Sequence, residues 1–209
     1  VLQYRLRVAQ ARLRLAQGDP DGALLSLDAA ERLYIRSPLP DFHPIPAMKA
    51  RIWVAQGELP RAVGWAHEQA LSPDDDLSYL CEFEHITLAG ILIARYRQEP
   101  EDDTIHAVTR LLDRLLHAAE DGGRIGSMIE ILTLQSLACE AQGDRALSLA
   151  VLERALALAE PEGFMRVFVV EGDTMRRLLE AVSGNRGAAS GYAGKLLAAL
   201  GNPTGLPPT

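Results

Sequence analysis

Apolar residues recur at three- and four-residue steps along most of the chain, and no segment sustains a period of two. The pattern predicts helices and essentially no sheet. A first helix is expected over Val1 to Gln17, with Leu6, Ala9, Leu13 and Ala16 as its stripe. A second runs from Pro20 to about Ile35, with Ala23, Leu24, Leu27, Ala30 and Tyr34 inward. After a proline-rich connection (Ser37 to Pro46) come a third helix ending at Gln56 and a fourth over about Pro60 to Leu71. Ser72 to Asp76 reads as loop and cap, and Leu77 to Gln98 as the most apolar helix. A sixth helix follows to about Glu120, opened by the acidic Glu99 to Asp103, where carboxylates oppose the positive end of the helix dipole. The seventh spans Arg124 to Gln142. The eighth carries Leu149, Leu152, Leu156 and Ala159 on one face, with Ala150, Ala155 and Ala157 keeping the rest narrow, until Pro161 and Gly163 break the pattern. Two short helices remain. Asp173 to Val182 has Met175, Leu178, Leu179 and Val182 inward, and Ala188 to Leu200 contains Tyr192, Leu196 and Leu197.

The helix ends repeat. Gln17-Gly18-Asp19, Gln56-Gly57-Glu58, Gln98-Glu99-Pro100 and Gln142-Gly143-Asp144 place their glutamines 39, 42 and 44 residues apart. In three of these corners a glycine can take the left-handed conformation that closes a helix, and Asp19 and Asp144 can cap the next one. Five residues after each of those glycines stands a small residue: Ala23, Ala62 and Ser148. Two helices per unit, a period near forty and small residues at fixed offsets mean stacked helical pairs. The third unit keeps only the spacing. The fold class expected is all-α, a tetratricopeptide-like right-handed superhelix of antiparallel helix pairs. Residues 1–172 would form about four pairs, 173–200 a helical cap, and 201–209 a proline-containing linker or tail.

Composition narrows the classes. The 209 residues carry only 5% aromatics and a formal net charge of -7, which disfavours direct nucleic-acid binding by this segment. The longest apolar run, Leu88 to Ala94, is too short to span a bilayer. Cys81 and Cys139 form no C-x-x-C pair and read as free thiols of a reducing compartment. The chain opens at Val1, straight into helical periodicity, and is expected to be part of a longer protein.

The pattern resembles the tetratricopeptide repeat in a loose form with long units. The run from Leu152 to Ala181, LERALALAEPEGFMRVFVVEGDTMRRLLEA, and the stretch from Asp76 to Gln98 are similar to parts of the repeat domain of the large LuxR-type regulators, the MalT-like group. That resemblance implies a cytoplasmic, ATP-dependent transcription activator with an NTPase module before the repeats and a DNA-binding helix-turn-helix after them. Neither module is expected within these residues. Gly191, Gly194 and Lys195 lack the earlier glycine and the following Ser/Thr of a phosphate-binding loop. The segment would be the signal-sensing and coupling module.

Catalytic constellations fail on spacing. His67 and Glu68 have Leu71 where a zinc-protease helix needs its second histidine. Glu82 with His85, and Asp103 with His106, have the acid-x-x-His spacing of di-iron bundles, without matched carboxylates from two further helices. No enzyme activity, cofactor or metal site is expected. Binding needs a surface, and the first helices of stacked pairs line a concave face. Corner alignment puts Arg12 and Arg51 at equivalent positions there, with Tyr96, Arg97, Glu130 and Thr133 nearby. Such a groove suits an anionic or sugar-like effector or an acidic peptide, and is compatible with a homo-oligomer. The rival reading is a constitutive protein–protein scaffold with no small-molecule input. Trp53 and Trp65 read as packing residues.

Overall fold

A computed structural model of the chain describes residues 2–33, 43–169, 171–185 and 187–201. The expectations for Tyr34, for Pro38 and Pro40 and for the tail beyond Gly201 lie outside the described residues. Within them the chain is helical, with no strand. The elements are α1 (Leu2–Ala16), α2 (Pro20–Arg32), α3 (Ile45–Ala55), α4 (Leu59–Glu68), a 3-10 turn (Tyr79–Cys81), α5 (Glu82–Gln98), α6 (Asp102–Asp121), α7 (Ile125–Ala141), α8 (Arg145–Glu162), α9 (Arg166–Val169), α10 (Gly172–Gly184) and α11 (Ser190–Gly201). The four-residue α9 has no counterpart in the sequence expectation.

The corners close as their residues dictate. Gly18, Gly57 and Gly143 take φ of 75°, 78° and 83°, a region open to glycine without a Cβ penalty. This lets the following N–H reach back five residues. Asp19 donates to the Arg14 carbonyl at 2.9 Å, Glu58 to Trp53 at 2.8 Å, and Asp144 to Cys139 at 3.0 Å. These bonds occupy carbonyls that a helix end leaves free. Asp19 and Asp144 then cap the next helix, accepting from Gly22 N–H at 2.8 Å and Leu147 N–H at 3.0 Å. The degenerate corner differs. Glu99 is extended and only its own N–H returns, to Arg95 at 2.9 Å.

Each corner folds two helices face to face, and the small residue five positions later sits at the approach. Ala23, Ala62 and Ser148 are fully buried. At Ser148 the approach is also polar: Ser136 Oγ donates to the Ser148 carbonyl at 3.0 Å and Ser148 Oγ to the Ser136 carbonyl at 2.9 Å. Both hydroxyls are thereby satisfied inside the core, as burial demands.

The pairs α3–α4, α5–α6 and α7–α8 stack so that α3 packs on α5, α5 on α7 and α7 on α9. The second helices α4, α6 and α8 touch one another little. A row packed closely on one side and splayed on the other bends, with α3, α5, α7 and α9 inside. One apolar core runs from α3 through α11, including Phe168 of α9 and Met175, Leu178, Leu179 and Val182 of α10. A smaller core joins α1 and α2 to Ile45 and Ile52 of α3.

The α1 stripe is corrected. Tyr4, Val8 and Ala11 pack inward, whereas Leu6 and Leu13 are 55% and 56% exposed and Ala9 is exposed. A solenoid helix carries two apolar flanks, and among the described residues no neighbour covers this one. On α8, Leu152, Ala155, Leu156 and Ala159 are fully buried, Leu149 is half-buried, and Ala150 and Ala157 face solvent. Trp65 is buried and Trp53 half-buried, with the Arg61 guanidinium 4.5 Å from its ring centre.

Ala70 ends α4 in the same way as the corner glycines, at φ 52°, with Leu71 N–H donating to Ala66 at 3.0 Å. A Cβ in that region costs about 1–2 kcal/mol, and glycine returns about 0.4–1 kcal/mol of that through unfolded-chain entropy. Ala70→Gly is therefore expected to raise the unfolding free energy by about 0.5 kcal/mol, measured by urea denaturation. Gly143→Ala is expected to lower it.

Candidate functional site

The inner row carries polar side chains into its own seams, and one arginine closes the seam between three helices. Arg51 leaves α3 and stands over the Phe83 ring, 3.7 Å from its centre. Its Nε donates to Thr87 Oγ1 at 2.7 Å, Nη2 donates to the Phe83 carbonyl at 3.3 Å, and Nη1 donates to the Glu130 carboxylate of α7. Thr87 in turn donates to the Phe83 carbonyl at 2.7 Å. The planar guanidinium suits this duty, because it stacks on a ring while its N–H groups diverge to fixed acceptors.

A second arginine repeats the arrangement one level along. Arg124, the N-cap of α7, donates to Glu82 from Nε at 2.9 Å and to the Ala118 carbonyl at 2.7 Å, and lies 5.3 Å from the centre of the Tyr79 ring. Ser127 Oγ donates to the other Glu82 oxygen at 2.5 Å. Glu82 is 7% exposed, so its charge is neutralised where water cannot do so. The 3-10 turn bearing Tyr79 is held from behind. His85, 2% exposed, contacts the Cys81 carbonyl at 2.9 Å through Nδ1 and Asp75 at 3.2 Å through Nε2. The Ser72 N–H, and then His85 and Arg114, keep the Asp75 carboxyl below the usual carboxylate range. The Glu82–His85 spacing thus serves packing.

Between the two knots lies a cleft of about 290 Å³ at the N-terminal ends of α5, α7 and α9. Its walls include the rings of Tyr79, Phe83 and Phe164, the Ser127 hydroxyl and the Glu130 carboxylate. Arg51 and Arg124 are committed to their glutamates and Ser127 donates to Glu82. The cleft therefore offers ring faces and carboxylate lone pairs, with its guanidinium donors already engaged.

The expected groove residues are dispersed. Arg51 and Glu130, 79 residues apart, are bonded to each other. Arg12 is exposed on α1, which packs on α2, so it does not join the row of α3, α5 and α7. Thr133 is fully buried and its hydroxyl donates to the Ile129 carbonyl at 2.8 Å, which turns it away from the groove surface. Tyr96 is half-buried against the core, and Arg97 is exposed near the other end of α5. Crowding by protein atoms nonetheless lowers the Arg97 guanidinium, against the pull of Glu171 and Glu140.

Glu171 is the residue that sequence reasoning missed. It occupies the N-cap of α10, yet its side chain makes no capping bond. It keeps some accessible surface, but desolvation pushes its carboxyl up to about 7, with Glu130 adding to the rise and Arg97 and Arg51 opposing it. Phe83 and Thr87, one turn apart on α5, also escaped notice because the sequence does not say which arginine lies across them.

Residues 2–185, which run from α1 through α10, match the family of MalT-like TPR regions. No curated relative matches the sequence. Among the described residues no helix is long and apolar enough to cross a membrane.

Removing Arg51 leaves Glu130, the Phe83 carbonyl and the ring without their common partner. Arg51→Met is expected to lower the unfolding free energy by about 2 kcal/mol. Arg12→Met is expected to stay within about 0.5 kcal/mol of the parent. Paired urea titrations with unchanged slope check both, and equal losses from the two variants would refute the keystone role of Arg51.

Proposed function

The chain belongs to the family of MalT-like TPR regions, regulatory and protein-interaction modules, and on that premise we propose that its inner-row cleft binds a neutral, hydroxyl-rich effector of sugar-like chemistry. Binding there biases the state of the attached NTPase and DNA-binding domains of a cytoplasmic transcription regulator. The observation that carries this reading is that both guanidinium groups beside the cleft are already paired with its two carboxylates. Arg51, Arg124 and Ser127 all donate to protein acceptors, so an anionic ligand meets the Glu82 and Glu130 carboxylates with both guanidinium charges already spent on them. A cationic ligand meets two guanidinium groups already at the Phe83 and Tyr79 rings. A ligand bringing its own O–H donors and an apolar face satisfies the carboxylate and the rings without bringing a charge into the cleft.

The proposed contacts are Tyr79, Phe83, Phe164, Ser127 and Glu130, with Arg51 positioning Glu130. Tyr96 and Arg97 belong to the farther reach of the groove. The competing function is a constitutive scaffold, favoured by the exposed apolar side chains Leu6 and Leu13 on α1.

A ligand that binds only the native state raises Tm, by the equivalent of about 2.7 kcal/mol at a hundredfold excess over Kd. Thermal denaturation against neutral oligosaccharides, sugar phosphates and acidic peptides is expected to show a rise for the neutral series alone. Tyr79→Ala is expected to diminish that rise while leaving the unliganded Tm within a few degrees, because Tyr79 is 56% exposed. A rise confined to the phosphates or peptides, or no rise with any of them, refutes the proposed effector chemistry.

A further inference from the structure

The stripe that α1 turns away from the core has a spacing of its own. Leu2, Leu6, Ala9 and Leu13 follow one another at steps of four, three and four residues, the heptad spacing that keeps one narrow seam in line along a helix. At about 100° per residue the seam lies roughly opposite Tyr4, Val8 and Ala11, which pack inward. Leu2 is 82% exposed, and Leu6, Ala9 and Leu13 are exposed with it. Arg5 and Arg12, one heptad apart, edge the seam on one side, and Gln3 and Gln10 edge it on the other. Arg7 and Arg14 have acceptors of their own, the Gln10 side chain at 3.1 Å and the Gly22 carbonyl at 2.7 Å. Arg5 and Arg12 are exposed, and no carboxylate among the described residues pairs with either. Every charge on α1 is positive, in a chain whose formal net charge is -7.

We propose that α1 docks an acidic amphipathic helix of a partner protein, whose apolar residues interleave with Leu2, Leu6 and Leu13 and whose carboxylates face Arg5 and Arg12. In paired helices the residues beside the seam select the partner by charge, and here they ask for carboxylates. A second copy does not supply them. Antiparallel pairing of two α1 helices sets Arg5 and Arg12 against the same arginines, and parallel pairing sets them against Gln3 and Gln10. An anionic membrane surface suits a helix with a broad apolar face, whereas this seam is one residue wide, the width of a helix–helix contact. It runs for about 16 Å along α1, so a partner segment of about three turns covers it. No residue of α1 lines the cleft. The interface therefore goes beyond the effector reading and does not depend on it.

The test is a calorimetric titration of the whole chain with two designed helical peptides. Both carry leucine at the heptad seam positions; one has glutamate at every flanking position and the other lysine, and like flanking charges keep each from pairing with itself. The glutamate peptide is expected to bind, and the lysine peptide to bind more weakly by about tenfold or more. Arg5→Glu combined with Arg12→Glu is expected to invert that order. Leu6→Ser combined with Leu13→Ser is expected to weaken the glutamate peptide by about a hundredfold. The urea midpoint is expected to stay in place, since both leucines are exposed. The charge-inverting variant keeps the test decisive if the leucine variant fails to fold. Binding of neither peptide, equal binding of both, or binding that survives the leucine variant overturns the proposal. So does a seam that instead engages phosphatidylserine vesicles, or a second copy of the chain in sedimentation. The same titration on any longer protein that carries the chain is expected to give the same preference. Loss of binding there means that this protein's own residues fill the seam, which also overturns the proposal.

Discussion

The structure depends on how closely the two helices of a pair approach, and the backbone corner sets that distance. A left-handed residue reverses the chain within two positions, and the next N–H returns to the helix just ended. The second helix then starts beside the first with its register fixed. Five residues on, the side chain facing the neighbour must be small, because helix axes 8–10 Å apart leave little room at the contact. Ala23, Ala62 and Ser148 fill that place with no exposed surface. Each pair rests on its neighbours alone, so an error at one corner tilts every later pair.

Close packing of the inner row has an electrostatic consequence. Polar side chains on facing first helices are brought within bonding distance of one another and partly removed from water. Their desolvation is offset only where geometry lets every donor find an acceptor. The knots at Arg51 and Arg124 solve this in the same way, with a guanidinium stacked on a ring and bonded to both a carboxylate and a carbonyl. Lysine could not reproduce the stacking and the divergent bonds together. Glu171 lies at the edge of this solution. Desolvation raises its carboxyl, with Glu130 adding to the rise and Arg97 and Arg51 opposing it.

The architecture was legible because its signals are local. Glycine-containing corners, caps, periodicity and the small residues at fixed offsets all lie within a few residues of what they determine. Where a neighbour had to be known, the reading failed. Leu6 and Leu13 fit an inward stripe, but α1 has two apolar flanks and periodicity does not say which one is covered. Corner alignment placed Arg51 and Glu130 on the same row of helices without saying that they bond to each other. Thr133 shared α7 with Glu130 and lay one turn from it, yet its hydroxyl found the Ile129 carbonyl and the core. Glu171 sat inside the most distinctive stretch of the sequence, and its environment comes from residues 120, 74 and 41 positions upstream, a distance at which spacing carries no information.

The cleft also lies on a route out of the repeat. Phe164 contributes its ring to the wall, and its carbonyl accepts from Tyr192 Oη at 2.9 Å. Tyr192 belongs to α11, which packs on α10 and α9. Phe168, one turn beyond Phe164, is fully buried in the core that those helices share with α8. Cores of this density do not absorb a displaced wall by local compression, so a shift of the 164–171 segment must be met by α10 and α11. The effector binding proposed for the cleft would therefore reach the last helix pair without a long chain of intermediates. Phe164 and Val167 line the cleft, while the Phe164 carbonyl and the Phe168 ring anchor the last helix pair.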